Sequence, residues 1–169
     1  MSNTQIDLQN LDGIVFDFDG VLTDNCVLLD ENGKEQARCH RGDGLGFDAL
    51  RKLDTRVVIL STEKNPIVSE RAKKLKVPVL RGVSNKVDEL NRYVVEKKLD
   101  LAKLLYVGND LNDYRAMKLC GFSVCPADSH KRIKEIATVT LKTNGGQGVV
   151  RELLEEVLQL DLIEVLYPN

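Results

Sequence analysis

Asp17 and Asp19 stand two residues apart in Asp17-Phe18-Asp19-Gly20-Val21-Leu22-Thr23-Asp24, where the apolar run Ile14-Val15-Phe16 gives way to a glycine turn. The run reads as a buried strand. Side chains alternate along a strand, so both acids leave it toward one side, at the end where open parallel sheets bind ligands. Buried carboxylates are costly unless they are paired or hold a metal. The pair therefore points to a cation site in which one carboxylate can attack an electrophile while the other carries protons.

Three further groups follow at strand ends or helix starts. Ser61-Thr62 closes a second apolar run, and its hydroxyls and N–H groups suit a phosphoryl oxygen, although helix capping explains them equally well. Lys86 opens a helix, where a cation is poorly matched to the positive end of the macrodipole and calls for an anionic neighbour. Gly108-Asn109-Asp110-Leu111-Asn112-Asp113 follows the run Leu104-Leu105-Tyr106-Val107 and adds two carboxylates three residues apart. Capping accounts for one of them. Acids recurring at the ends of two strands match a hard, oxygen-ligated cation such as magnesium.

These groups must be positioned by a sheet. Strand-like runs at Ile14–Asp17, Val57–Ser61, Pro78–Leu80, Leu104–Gly108, Ser123–Cys125 and Thr138–Leu141 alternate with amphipathic helices at Leu45–Leu53, Pro66–Leu75, Val87–Lys97, Asn112–Cys120 and Val149–Leu158. The alternation predicts an α/β fold, a Rossmann-like doubly wound parallel sheet. Asn65 before Pro66 suits a helix N-cap and first position. After the first strand, Asp30-Glu31-Asn32-Gly33 predicts the turn of a β-hairpin over about residues 25–40. A C-terminal loop and helix are expected over about 143–160.

The chain has 169 residues, 43% of them hydrophobic. A chain of that size buries roughly 70% of its unfolded surface, which predicts one domain over residues 1–169. With 24 basic against 26 acidic residues and a net charge of −2, bulk binding to nucleic acid or anionic membranes is disfavoured. Met1 to Asn10 is polar, unlike a signal peptide, and no apolar run reaches membrane-spanning length, so a cytoplasmic location is expected. Cys26, Cys39, Cys120 and Cys125 form no CxxC pair, and His40 and His130 lie far apart; reduced structural thiols are expected rather than zinc. His40, with Arg41 beside it, precedes the Gly42-Asp43-Gly44 turn, where it can face a ligand or simply solvent.

The order of acid pair, hydroxyl, lysine and second acid pair resembles the haloacid dehalogenase superfamily of phosphatases over nearly the whole chain. Asp17-Phe18-Asp19-Gly20-Val21-Leu22-Thr23-Asp24, His40 to Gly46, Ser61 to Pro66 and Gly145 to Glu152 are similar, more narrowly, to its small capless sugar-acid phosphatases. That group includes 3-deoxy-manno-octulosonate 8-phosphate phosphatases, nonulosonate 9-phosphate phosphatases and a domain attached to some acylneuraminate cytidylyltransferases. The resemblance implies Asp17 as nucleophile, Asp19 as proton shuttle, and Mg²⁺ held by Asp17, the Asp19 carbonyl and Asp110. It implies further that Lys86 and Ser61 hold the transferring group, with Asp113 and Asn109 completing the metal's surroundings or anchoring Lys86.

The gaps between these motifs leave no room for a cap domain. The resemblance implies a homotetramer built around the hairpins, with Gly145-Gly146-Gln147-Gly148 as a mobile loop reaching a neighbouring site and Arg151 behind it. Alternatively the loop is a helix-entry turn and Arg151 pairs with Glu155. Glu63, next to Thr62, resembles the nonulosonate 9-phosphate branch, as do Arg71 and Lys74, which would face a substrate carboxylate unless Lys74 pairs with Glu70. The expected substrate is thus a sialic-acid-like 9-phosphate, with the octulosonate 8-phosphate as alternative and a pathway link to a cytidylyltransferase. Two other classes compete. A receiver domain carries its acceptor aspartate on a later strand, against the motif order here. An idle oligomerisation domain has no chemical need for clustered acids.

Overall fold

Six apolar runs assemble into a single parallel sheet in the computed structural model, which describes residues 6–168. Residues 1–5, half of the polar start, lie outside the described residues. The strands are β1 (Gly13–Phe16), β4 (Val57–Leu60), β5 (Val79–Leu80), β6 (Leu104–Val107), β7 (Phe122–Cys125) and β8 (Val139–Thr140), in the spatial order β5-β4-β1-β6-β7-β8. Their bounds follow the predicted runs to within two residues at either end. Two longer strands, β2 (Thr23–Leu29) and β3 (Glu35–Cys39), form the separate antiparallel hairpin.

Strand order explains where a site can form. From β1 the chain runs outward through β4 to β5, then returns to place β6 on the other side of β1, with Ile14 paired to Val57 on one flank and to Leu105 on the other. The loops leaving β1 and β6 therefore diverge, and the crevice between them is the topological switch point of the sheet. Both acid clusters sit there.

Period-two burial fills both faces. Ile14, Phe16, Leu105 and Val107 join one core, and Val15, Leu104 and Tyr106 join the other. The first core is covered by α1 (Gly42–Lys52), α2 (Ile67–Leu75), α6 (Val149–Glu152), its π-helical continuation Leu153–Val157, and α7 (Leu162–Leu166). The second lies beneath α3 (Lys86–Lys97), α4 (Tyr114–Leu119) and α5 (Lys131–Lys134). No helix among the described residues is long and apolar enough to cross a membrane.

Local departures from the sequence reading have physical causes. Helix α1 starts at Gly42 rather than Leu45, because Gly42-Asp43-Gly44 is its first turn: the Gly44 N–H donates to the Arg41 carbonyl, and Asp43 sits at the positive end of the helix. Helix α4 is shorter than expected because Asp110 to Asp113 is a turn closed by the Asp113 N–H on the Asp110 carbonyl. Helix α2 begins at Ile67, with Pro66 rather than Asn65 at its N-cap position, while Asn65 Oδ1 still accepts from the Ile67 N–H at 3.1 Å. In the hairpin, Gly33 alone of the Asn-Gly step has positive φ, and Asp30 accepts from the Asn32 and Lys34 N–H groups. Strand β2 begins two residues before the predicted hairpin, with a register shift between Thr23 and Val27 and Asn25 at φ 61°. All four cysteines are free thiols.

Candidate active site

Asp17 emerges directly past β1, its N–H held by the Val107 carbonyl of β6 at 2.9 Å, and its side chain is buried. One carboxylate oxygen, Oδ1, accepts from the Phe18 N–H at 2.7 Å and from Lys86 Nζ at 2.7 Å. Lys86 itself is buried at the first position of α3 and bridges to Asp113 Oδ1 at 2.6 Å. The anionic neighbour that a helix-start lysine requires is thus a pair of carboxylates.

Asp113 is fully buried and fully partnered: Lys86 and the Tyr106 hydroxyl (2.9 Å) donate to Oδ1, and the N–H groups of Asn109 (2.9 Å) and Asp110 (3.3 Å) donate to Oδ2. Tyr106 escaped notice in the sequence, although a tyrosine inside a buried strand signals a polar partner for its hydroxyl. Burial alone lowers the Lys86 ammonium pKa, but the charges of Asp17 and Asp113 and its hydrogen bonds to both more than offset this, so it stays above its ordinary value. Burial, and then the charge of Asp113, push Asp17 above the usual carboxylate range against the pull of Lys86. One ammonium serves two carboxylates, and the cluster lacks one positive charge.

A cleft of about 280 Å³ opens over this cluster, walled by Asp17 and Asp19 from the β1 loop, Ser61 and Thr62 from the β4 end, and Asn109 and Asp110 from the β6 loop. The structure therefore brings together six of the residues singled out by type and spacing. Asp19 is less buried than Asp17. Burial raises its pKa, the Thr23 hydroxyl that it accepts from at 3.2 Å pulls it back, and the charge of Glu63 pushes it up again. Thr23 also accepts from the Gly20 and Asn25 N–H groups, and so ties the loop into shape.

Gly20 turns that loop at φ 80°, where a Cβ would collide with the Asn109 side-chain amide. On its other side, Gly145 is seated so closely that a Cβ there would strike the Gly20 carbonyl. The Gly146 N–H donates to the Val21 carbonyl at 3.0 Å, and the Gly145 N–H to Asp128 Oδ1 at 2.9 Å. The Gly145-Gly146-Gln147-Gly148 loop thus packs on the reaction loop of its own chain and leads into α6.

The basic candidates lie outside the cleft. Arg71 donates to the His40 carbonyl at 2.9 Å, Arg151 pairs with Glu155 at 2.7 Å, Arg41 is exposed at the start of α1, and Lys74 is exposed without the Glu70 ion pair. Glu63 accepts from the Asn65 N–H at 2.6 Å and does not line the cleft.

Buried Asp43, read from the sequence only as part of a turn, accepts from the Val150 N–H at 3.1 Å and so joins the starts of α1 and α6, while its Oδ2 has no partner. Burial pushes its pKa up to about 6, against the Val150 and Arg151 N–H groups and the charges of His40 and Arg71. A carboxyl raised in the folded state binds its proton more tightly folded than unfolded. Its contribution favours folding most below the unfolded value and is lost as pH rises through about 6. Asp43→Asn is therefore expected to exceed wild type in stability by roughly 1–3 kcal/mol at pH 8, with the gap closing toward pH 4, as urea unfolding at both pH values would read. A gap that widened on acidification would contradict this.

A divalent cation fits the donors present. Among the described residues no three His, Cys, Asp or Glu side chains form a complete ligand set. The cleft offers instead Asp17, Asp19 and Asp110, next to a cluster short of positive charge and the buried, unpartnered Asn109 Oδ1. Few protein oxygens, with positions left for water and phosphate, is the habit of magnesium.

A parallel sheet with carboxylates at its switch point, a hydroxyl on one side and a buried lysine beneath defines a hydrolase class. Residues 54–153 match the haloacid dehalogenase-like hydrolase family, and the chain belongs to it. Within that family it is 31% identical over 153 residues to a 3-deoxy-D-manno-octulosonate 8-phosphate phosphatase from Haemophilus influenzae, covering 90% of this chain and 85% of that one. It is also 31% identical over 145 residues to N-acylneuraminate cytidylyltransferase A of Danio rerio, covering 83% of this chain and 33% of that protein. Among solved structures, a putative haloacid dehalogenase family hydrolase from Streptomyces avermitilis superposes with a TM-score of 0.91 at 41% identity, covering 95% of this chain and 92% of that one. The octulosonate 8-phosphate phosphatase of Moraxella catarrhalis, solved with a magnesium ion, a phosphate ion and KDO, gives 0.85 at 25% identity, covering 90% and 88%. Family membership removes the receiver-domain alternative.

Proposed function

We propose that the chain is a magnesium-dependent phosphomonoesterase acting on a phosphorylated sugar acid through an aspartyl-phosphate. One observation carries the reading: Lys86 and the Phe18 N–H hold Asp17 by a single oxygen at the base of a cleft that Asp19, Ser61 and Asp110 share. The second oxygen of Asp17 attacks phosphorus, a P–O bond to the carboxylate forms, and the bond to the sugar oxygen breaks as Asp19 protonates it. Asp19 then takes a proton from water, which attacks the same phosphorus and releases Asp17 and phosphate. Ser61 and Lys86 hold the phosphoryl oxygens. Asp17, the Asp19 carbonyl and Asp110 hold the magnesium, which offsets repulsion between a dianionic phosphate and these acids. Asp113 keeps Lys86 in place.

The octulosonate 8-phosphate now stands ahead of the nonulosonate 9-phosphate. The relatives that match over most of both lengths carry the former name, and the residues that favoured the latter, Glu63, Arg71 and Lys74, do not line the cleft of one copy. The 9-phosphate stays as second reading on the strength of the cytidylyltransferase relative, which also supports a pathway link to such an enzyme. Four copies meeting through their hairpins would cover Val27, Leu28 and Leu29, which are 54%, 74% and 67% exposed, and would bring Arg41, Arg71, Lys74 or Arg151 toward a neighbour's cleft. Free thiols throughout suit the cytoplasm.

The test is a phosphate-release panel of octulosonate 8-phosphate, N-acetylneuraminate 9-phosphate and its deaminated analogue. The 8-phosphate should give the highest kcat/KM, and chelation should abolish turnover until Mg²⁺ is restored. A 9-phosphate preference would exchange the two substrates, and turnover in chelator would remove the metal from the mechanism.

A further inference from the structure

Among the described residues, five other than glycine have positive φ: Asn25, Asp54, Lys76, Lys98 and Gln159. Four of them end helices. Lys76 and Lys98 are the C-caps of α2 and α3, Asp54 lies two residues past α1, and Gln159 lies two past the helical run that closes at Val157. A left-handed residue is the ordinary way to stop a helix. Asn25 has no helix to stop. It lies inside β2 at φ 61° and lines the catalytic cleft.

The strand around it is distorted. From Thr23 to Val27 is four steps along β2, yet their partners Cys39 and Ala37 are two steps apart on β3, so Asp24, Asn25 and Cys26 stand opposite Arg38 alone. An excess of this kind is a bulge, which re-aims side chains that a regular ladder would send elsewhere. Hydrogen bonds account for the residues on either side. Asp24 accepts from the Cys26 N–H at 3.3 Å and pairs with Arg38 at 2.7 Å, while Thr23 Oγ1 accepts from the Asn25 N–H at 3.3 Å and donates to Asp19 at 3.2 Å. The Asn25 side chain is exposed and takes part in none of these bonds. Asparagine enters the left-handed region more readily than most side chains, but glycine does so without steric cost. Strain kept at a cleft, where glycine would remove it, points to a use for the carboxamide.

Resting on the phosphomonoesterase reading above, we infer that Asn25 is a specificity residue that binds a hydroxyl group of the leaving alcohol, on the carbon next to the one that carries the phosphate. The Thr23 hydroxyl connects the Asn25 main chain to Asp19, the group that protonates the departing oxygen. An alcohol oxygen seated against Asp19 therefore places its next carbon toward the wall that Asn25 forms. A carboxamide suits that neighbour, because it can both donate to a hydroxyl and accept from it. It also adds no charge to a cleft that holds Asp17, Asp19 and Asp110 and must still admit a dianion. The arrangement favours polyol phosphates over esters of simple alcohols.

The experiment compares the 1-phosphate of propane-1,2-diol with propyl phosphate, which differ by one hydroxyl on the carbon in question. Phosphate release from both is measured for wild type, Asn25→Gly and Asn25→Ala, with thermal unfolding of each protein. Wild type should favour the diol ester about three- to tenfold in kcat/KM, the effect of one neutral hydrogen bond, and chiefly through KM. Both substitutions should bring that preference within about twofold. Their stabilities should part: glycine relieves the left-handed strain and should match or exceed the wild-type midpoint, whereas alanine keeps the strain and should melt below it. Equal treatment of the two esters by wild type, a preference that survives in both variants, or a loss confined to the less stable Asn25→Ala would overturn the assignment. Calorimetric binding of the same esters with Mg²⁺ in an Asp17→Asn background separates it from the reading it rests on. If wild type releases phosphate from neither ester nor from octulosonate 8-phosphate, that reading fails, yet a tighter diol ester whose advantage disappears with Asn25→Gly would still establish the contact, and equal affinities would refute it.

Discussion

Asp17→Asn is expected to lower phosphate release by at least about 10³-fold while the protein stays folded. An amide cannot serve as the nucleophile that accepts the phosphoryl group, and no other carboxylate in the cleft shares the position of Asp17 beside Lys86 and the Phe18 N–H. The substitution preserves shape and can still accept from both donors through its oxygen. It also takes one negative charge out of a buried set in which a single ammonium faces two carboxylates, so unfolding midpoints should be equal to or above wild type. Steady-state phosphate release and thermal unfolding, measured on the same preparation, read the two parts separately. Activity above about one per cent of wild type would mean that water attacks the ester directly.

Lys86→Met is the second large effect, and it should appear in stability as well as in rate. Removing the ammonium leaves Asp17 and Asp113 buried together without a counter-charge, and breaking a buried pair in this way typically costs about 3–5 kcal/mol. That is a large share of the roughly 5–15 kcal/mol that holds a domain folded. Urea unfolding should show the loss directly, and a second substitution, Asp113→Asn, should recover part of it by removing one of the stranded charges. The rate should fall by at least about a hundredfold, because a cation facing the transferring phosphoryl group is gone. Full stability in Lys86→Met would show that the cluster is neutral without its lysine.

The candidate cluster was legible as a group of residues because each member sits where a pattern changes. Asp17 and Asp110 mark the points at which period-two apolar strands stop, Ser61 ends another, and Lys86 is a cation in the wrong part of a helix. Such signals need no tertiary information. The partners Tyr106, Thr23 and Asp43 were not visible, because each resembles an ordinary residue of its element until the loop or helix that it meets is in place. Helices α5 and α7 were missed for a related reason: at 4 and 5 residues they are too short to show a helical period. Substrate preference proved the least legible feature, since Glu63, Arg71 and Lys74 were read from a resemblance and not from anything that forces them toward the cleft.

The reaction loop is gripped from two directions, by the Asn109 amide against Gly20 and by Gly145 behind it, with no space for a methyl group at either contact. Three segments distant in sequence are therefore bound to a shared history. A side chain gained at any one of them is tolerable only if the other two give way together, so this corner should drift as a block or stay fixed, while the helices around it vary one residue at a time.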